Sequence, residues 1–268
     1  MAAGCIDFLR NWRASWRPRW AFMPTGNAGL LVDVLLLAVS IFEQYGVSYT
    51  IHHGALLGAL RLQGLLPWDI DADLFLTGET EATFHDKVAT ALADHGLSLE
   101  RRGPGYFIIR PRLSIAGLAL PLFPMVEVDL LRETRTALGE AVYDQHAAHR
   151  RWDAGELLPL RRYPFYGSYL MGPRAAEPVL ERLYQGAGSE PAMRPFRRPG
   201  LPPRTENFWR RVRPREGRMD WPAISRRGKE VRRSILWRCL VCSPWYLANG
   251  LYCLMVQTFR RKAGGHIE

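Results

Sequence analysis

The stretch from Gly29 to Tyr45, GLLVDVLLLAVSIFEQY, is apolar on nearly every turn, with Asp33 and Glu43 on its less apolar side and Gly46 placed to end it. That pattern predicts a helix, one too short and too interrupted to span a membrane. VSYTI (47–51) then alternates as a half-buried strand does, and ATFHDKVATALADHG (82–96) reads as a second helix stopped by Gly96. YFIIR (106–110) and MVEVDLL (125–131) read as further strands. Helices mixed with strands in this order predict an α/β or α+β sheet domain, and no internal repeat is visible.

Between the first predicted strand and the second predicted helix lies GALLGALRLQGLLPWDIDADLFL (54–76), which ends with three alternating aspartates among apolar residues. In a strand, side chains alternate between faces, so Asp69, Asp71 and Asp73 share one side while Ile70, Ala72 and Leu74 feed the core. Carboxylates beside a core are costly unless something compensates them. A divalent cation does so, and an all-oxygen set of this kind suits Mg2+ or Mn2+ held together with substrate phosphates. MVEVDLL repeats the alternation, with Glu127 and Asp129 opposite Val126, Val128 and Leu130. If the two strands are neighbours, the second supplies a further carboxylate.

Just upstream, HGALLGALR (53–61) places Gly54 after a predicted strand, with Gly58 and Arg61 one and two turns on. Glycine lets backbone amides approach a phosphate, and a helix starting there aims its positive end at the same anion. The competing reading is that Gly54 and Gly58 only permit tight packing. His52 and His53 next door, as adjacent residues of a strand, would point to opposite faces, which argues against a shared metal.

Charge changes the picture mainly at the ends. The 268-residue chain carries a net charge of +10, yet residues 28–190 hold fourteen bases against twenty acids, while residues 191–233 hold fourteen bases against four. The basic character therefore belongs to a tail, and nucleic acid is not an expected partner of the domain. RPFRRPGLPPR (194–204) is too proline-rich for long regular structure, so 187–232 reads as an extended, poorly packed linker. Docking on an anionic lipid or phosphate-bearing partner is the alternative to a merely solvated linker.

The last segment, 233–268, contains the mostly apolar ILWRCLVCSPWYLANGLYCLMV (235–256) between basic flanks. It is near the ~20 residues that cross a bilayer. Arg238, Pro244 and Asn249 interrupt it, and a central arginine costs about 2.5–3.5 kcal/mol on insertion scales. A helix lying in the membrane interface is the first reading, a core-closing helix the second and a span the third. FLRNWRASWRPRW (8–20), in the arm 1–27, mixes tryptophans and arginines in the same style, and its arginines argue against a cleaved leader. The four cysteines lie at the extremes of the chain and suggest neither a disulfide framework nor structural zinc. The 33 arginines against 3 lysines read as coding bias rather than function.

HGALLGALRLQGLLPWDIDADLFL resembles the signature of the LicD/fukutin family, GTLLGxxRxxxxIPWDxDxD, within the nucleotidyltransferase superfold shared with DNA polymerase beta. The match holds at Gly54, Leu56, Leu57, Gly58, Arg61, Pro67, Trp68, Asp69, Asp71 and Asp73. LLPLRRYPFYG (157–167) and GPRAAEPVLERLYQG (172–186) are similar to the family's downstream blocks. The resemblance covers about 28–186. It implies a mixed sheet flanked by helices and a transferase that takes a CDP-activated donor, such as CDP-choline or CDP-ribitol. The phosphocholine or alditol-phosphate part would pass to a glycan hydroxyl.

By the same resemblance, Asp71 and Asp73 with Asp129, and Asp69 by its spacing, hold one or two Mg2+ or Mn2+ ions. Asp69 or Glu127 accepts the acceptor's proton, the Gly54–Ala55–Gly58 turn meets the donor, and Arg61, Arg161 and Arg162 clamp its phosphates. The protein would be membrane-associated, in the Golgi or secretory pathway of a eukaryote or at the cytoplasmic face of a bacterial membrane. Two departures stand out: Ala55 replaces the usual Thr or Ser, and Gln185 splits the closing Tyr-Gly. The alternatives are a nucleotidyltransferase that moves the nucleoside monophosphate itself and a catalytically silent, membrane-associated scaffold.

Overall fold

A computed structural model describes residues 23–112, 114–115, 118–119, 124–137, 141–145, 150–184 and 198–234, and beyond them positions 237–238, 241–242, 244–245 and 248. The arm before Met23, the tract 185–197 with Gln185, and the chain after residue 248 lie outside the described residues.

The first helix, α1 (Thr25–Gln44), is buried along sixteen consecutive positions from Asn27 to Phe42. An apolar helix with so little sidedness belongs in the middle of a core. At 20 residues it is in fact long and apolar enough to cross a membrane, contrary to the expectation from sequence, but its apolar window is almost wholly enclosed by the rest of the chain.

The chain continues through β1 (Tyr49–His52), α2 (His53–Leu62), β2 (Asp71–Leu76), α3 (Glu81–Asp94), β3 (Leu97–Gly103) and β4 (Tyr106–Pro111). A short pair, β5 (Ser114–Ile115) and β6 (Leu118–Ala119), precedes the long strand β7 (Met125–Arg135), then β8 (Ala141–Gln145) and β9 (Arg150–Asp153). α4 (Ala154–Leu157), the hairpin β10 (Arg161–Phe165) and β11 (Ser168–Gly172), α5 (Ala176–Tyr184) and α6 (Pro203–Val212) follow, and residues 221–234 form a last helix, α7.

Seven strands make one mixed, curled sheet in the order β1-β2-β7-β4-β3, with β8 and β9 continuing from the far end of β7. β2 and β7 run parallel; the other pairs are antiparallel. The register fixes the two faces. Ile51, Ala72, Leu74, Leu76, Val126, Val128, Phe107 and Ile109 share the face under α1 and α3, where Phe42, Phe84 and Phe107 stack edge to face at 5.3–5.4 Å. The polar positions of the same strands fall on the other face.

The stretch expected to be an extended linker is instead packed helix where it is described. Prolines misled the sequence reading because they stand at a helix start, with Pro202 as the cap of α6 and Pro203 at its first turn, where a missing amide costs nothing. Trp209 of α6 is fully buried and donates its indole N–H to Asp33 Oδ1 of α1 at 2.7 Å. Arg213, next after α6, is also fully buried. Its guanidinium donates to both oxygens of Glu43, with Oε2 at 3.0 Å, and to the Tyr49 hydroxyl at 2.9 Å, so the buried charge is paired and hydrogen-bonded.

Candidate active site

The carboxylates meet because β2 and β7 are neighbours. Asp73 lies beside Glu127 in the parallel register, Phe75 beside Asp129, and Asp71 beside Met125. Asp71, Asp73, Glu127 and Asp129 therefore project from one face, as alternation along the two strands requires. Tyr106 of β4 lies across from Asp129 on the same face, and His52 of β1 lies across from Asp73.

Asp69 reaches the group differently from the sequence expectation. β2 starts at Asp71, so Asp69 is in the preceding turn rather than in the strand. A turn with the half-buried Trp68 packed against the core brings its carboxylate over the first turn of α2, where it shares a hydrogen bond with Asp71. A side chain at position 54 would collide with Asp69, so Gly54 is required by that approach.

The start of α2 completes the arrangement. His53 takes φ 43°, which turns the chain sharply out of β1, and the Gly54 amide donates to the Asp73 carboxylate. This N–H, expected from sequence to meet a phosphate, is engaged by an aspartate. Gly58 has the packing role: a Cβ there would strike the Gly64 carbonyl and lie 3.1 Å from the Leu66 amide nitrogen. Ala55 is buried in the core, so the methyl that replaces the usual hydroxyl is a packing group.

Burial first, and then the charges of Asp69, Asp73 and Glu127, hold the Asp71 carboxyl well above its ordinary value. Burial likewise raises Asp73, followed by Asp69 and Glu127, with the Gly54 amide pulling the other way. Burial raises Glu127 too, partly offset by a hydrogen bond from the Tyr106 hydroxyl. Burial and the nearby acids push the Tyr106 phenol up, which keeps it protonated and a donor. The groups acting most strongly on Asp71 and Asp73 thus include no cationic side chain.

Such a set fits a hard divalent cation by its chemistry: oxygen donors only, mostly buried, mutually repelling. Among the described residues no three acidic, histidine or cysteine side chains stand as a ready-made cage. Mg2+ does not require one, because it binds through one or two carboxylates and takes its remaining ligands from water and substrate phosphates.

The histidines differ from expectation as well. Because His53 opens a helix instead of extending β1, the two rings meet, with Nδ1 to Nδ1 at 2.7 Å. His52 is fully buried and packs on Phe75 at 3.7 Å and edge-on to Trp152 of β9 at 4.7 Å, closing one side of the carboxylate face with aromatic rings.

Of the expected phosphate clamps, Arg61 is exposed on the last turn of α2 and Arg161 is exposed at the start of β10. Arg162 is committed elsewhere. It lies over the Tyr169 ring at 4.4 Å and donates to the Arg215 carbonyl, in a cleft lined by Glu43, Ser48 and Tyr49 that contains none of the aspartates. Sequence reasoning missed Tyr106. Its signal was the alternation of YFIIR, which sets Tyr106 and Ile108 on one face, but which face is decided by the pairing with β7.

Residues 46–175 match the sequence profile of the LicD/FKTN/FKRP nucleotidyltransferase domain. Over 47 residues the chain is also 36% identical to the lipopolysaccharide cholinephosphotransferase LicD of Haemophilus influenzae, a match covering 18% of this chain and 18% of that protein.

Proposed function

We propose, from the match of residues 46–175 to the LicD/FKTN/FKRP domain, that the chain is a transferase moving a phospho-alcohol group from a CDP-activated donor to a glycan hydroxyl. Phosphocholine and alditol phosphates are the groups in view, the first because a relative bears the name cholinephosphotransferase. The observation that carries the reading is the convergence of Asp71, Asp73, Glu127 and Asp129 on one face of β2 and β7.

Asp71 and Asp73, with Asp129 beside them and Asp69 bonded to Asp71, are the residues that would hold Mg2+ or Mn2+. The ion would neutralise the donor's diphosphate and stabilise the departing cytidine monophosphate. Glu127 is the residue to take the proton, because burial keeps its basicity high and Tyr106 fixes its orientation. The acceptor oxygen attacks the phosphorus that bears the alcohol, and the bond from that phosphorus to the bridging oxygen breaks. The hydroxyl proton passes to Glu127 and CMP leaves. Arg61 is the cation on α2 proposed to meet the donor's phosphates, and the wall of His52, Phe75 and Trp152 keeps water from one side of the face.

Purified protein incubated with a panel of CDP-alcohols should release CMP from one of them only with Mg2+ or Mn2+ present, and Asp71→Ala should abolish the release. Release that persists in Asp71→Ala would overturn the assignment of the face. The profile's own description also allows transfer of the nucleoside monophosphate itself. In that case the cytidine remains on the acceptor and no CMP is freed.

A further inference from the structure

Arg238, which with Pro244 and Asn249 spoke against the apolar C-terminal segment crossing a bilayer, is paired inside the protein. Its guanidinium turns inward to Asp33 Oδ2 of α1 at 2.7 Å. One turn on, the Cys242 carbonyl accepts from the Asn27 side chain at 3.1 Å, and Trp245 packs against the core. Positions 238, 242 and 245, helical where they are described, are thus the docked side of a segment that follows α7 in the chain.

Among the described residues of this segment, the exposed ones are apolar. Trp237, Val241, Pro244 and Ala248 all face outward, at the spacing that lines one side of a helix. Trp237 is 71% exposed and Val241 60%, the highest values among the exposed large hydrophobic residues described. At the same helical spacing, α7 exposes Arg233, Lys229 and Arg226, with Glu230 among them paired to Arg227 at 3.5 Å. One outward face therefore passes from basic to apolar, with a tryptophan at the change.

We propose that this face, from Arg226 to Ala248, rests on an anionic lipid bilayer. Trp237 and Val241 enter the boundary between headgroups and acyl chains, and Arg226, Lys229 and Arg233 meet lipid phosphates. Charge complementarity selects this occupant. A second copy of the chain would have to set the basic half against like charges or against the apolar stripe, and a stable protein interface needs about 800 Å² per partner. A core-closing helix would present polar residues outward, and a bilayer-spanning one would not have a side bonded to Asp33 and Asn27. The inference is independent of the proposed chemistry, since it needs neither donor nor metal.

The test is flotation of the full chain with vesicles of phosphatidylcholine alone or mixed with phosphatidylserine. Binding to the anionic vesicles is expected, falling as salt rises. Trp237→Ser combined with Val241→Ser should weaken it by about tenfold or more, and Arg226→Glu or Arg233→Glu by about fivefold per charge removed. Tyr45→Ser, an exposed aromatic on another part of the surface, should change nothing. Circular dichroism checks folding, and the charge variants carry the test should the double variant misfold. Equal binding to neutral and anionic vesicles would overturn the proposal. So would variants that bind as the parent does, which would locate the lipid contact elsewhere, or a concentration-dependent dimer abolished by Trp237→Ser without vesicle binding.

Discussion

Asp73 of β2 and Glu127 of β7 are directly paired across two parallel strands, so two acidic side chains stand side by side on a mostly buried face, with Asp71 and Asp129 one step away along each strand. Like charges directly opposite one another destabilise a sheet. A chain that retains them gives up stability for a task that needs the charge.

That cost has a pH signature in the metal-free protein. Asp71 and Asp73 have folded-state values raised well above the ordinary 3.8. For a raised carboxyl, the native state holds the proton more tightly than the unfolded chain, so the associated stability is complete below about pH 4 and is lost as pH rises through the raised value. Their contribution should therefore lower the melting temperature from mildly acidic to neutral pH. Asp71→Asn and Asp73→Asn should flatten that slope and raise the neutral-pH melting temperature by about 2–4 °C for each kcal/mol of repulsion removed. Scanning fluorimetry across pH checks both, and Mg2+ should stabilise the parent more at pH 7 than at pH 5.

Tyr106→Phe removes the hydrogen bond that lowers the Glu127 value. Glu127 then needs a higher pH to ionise, so the acid limb of the kcat profile should move to higher pH. The fall in kcat should be about tenfold or more at neutral pH, with KM for the donor and the melting temperature little changed. A pH-rate series on the variant separates this from a merely structural effect.

The two glycines of α2 should behave differently. Gly54→Ala drives a methyl into the Asp69 carboxylate, and so should lose activity through displacement of that side chain while leaving the fold largely intact. Gly58→Ala meets backbone at residues 64–66, which cannot move aside as a side chain can, and should cost about 1–3 kcal/mol of stability. Denaturant titration beside an activity assay distinguishes the pair.

Glu43 and Arg213 form the polar joint between α1 and the end of α6, sharing it with the hydroxyls of Tyr49 and Tyr169. Arg213→Met leaves Glu43 without its cation, and breaking such a buried pair costs about 3–5 kcal/mol. Since this joint holds none of the aspartates, the remaining folded protein should keep its kcat. Urea unfolding gives the first quantity and initial rates the second.

The alternation in DIDADLFL and MVEVDLL made the carboxylate face readable from sequence, because a period of two fixes which side chains travel together. It could not show that β2 and β7 pair, nor that the pairing is parallel. Asp69 was misplaced because Pro67 and Trp68 make a turn, and the strand starts two residues later than the charges do. The packed C-terminal helices were hidden for a related reason. Arg213 and Arg227 read as charges of a solvated tail, and Arg238 as a break in an apolar run, until Glu43 and Asp33 are seen beside them, and Trp209 finds Asp33 across 176 residues of chain. The meeting of His52 and His53 depends on a positive φ at His53, a conformation uncommon outside glycine and not signalled by the alternation before it.

The most direct test of the carboxylate face is the fate of a CDP-alcohol labelled separately in its cytidine and in its alcohol, followed with Mg2+ in the parent protein and in Asp73→Asn. Alcohol label on the glycan and cytidine label in free CMP, both lost in the variant, is the predicted result. Cytidine label on the acceptor, or transfer undiminished in Asp73→Asn, would contradict it.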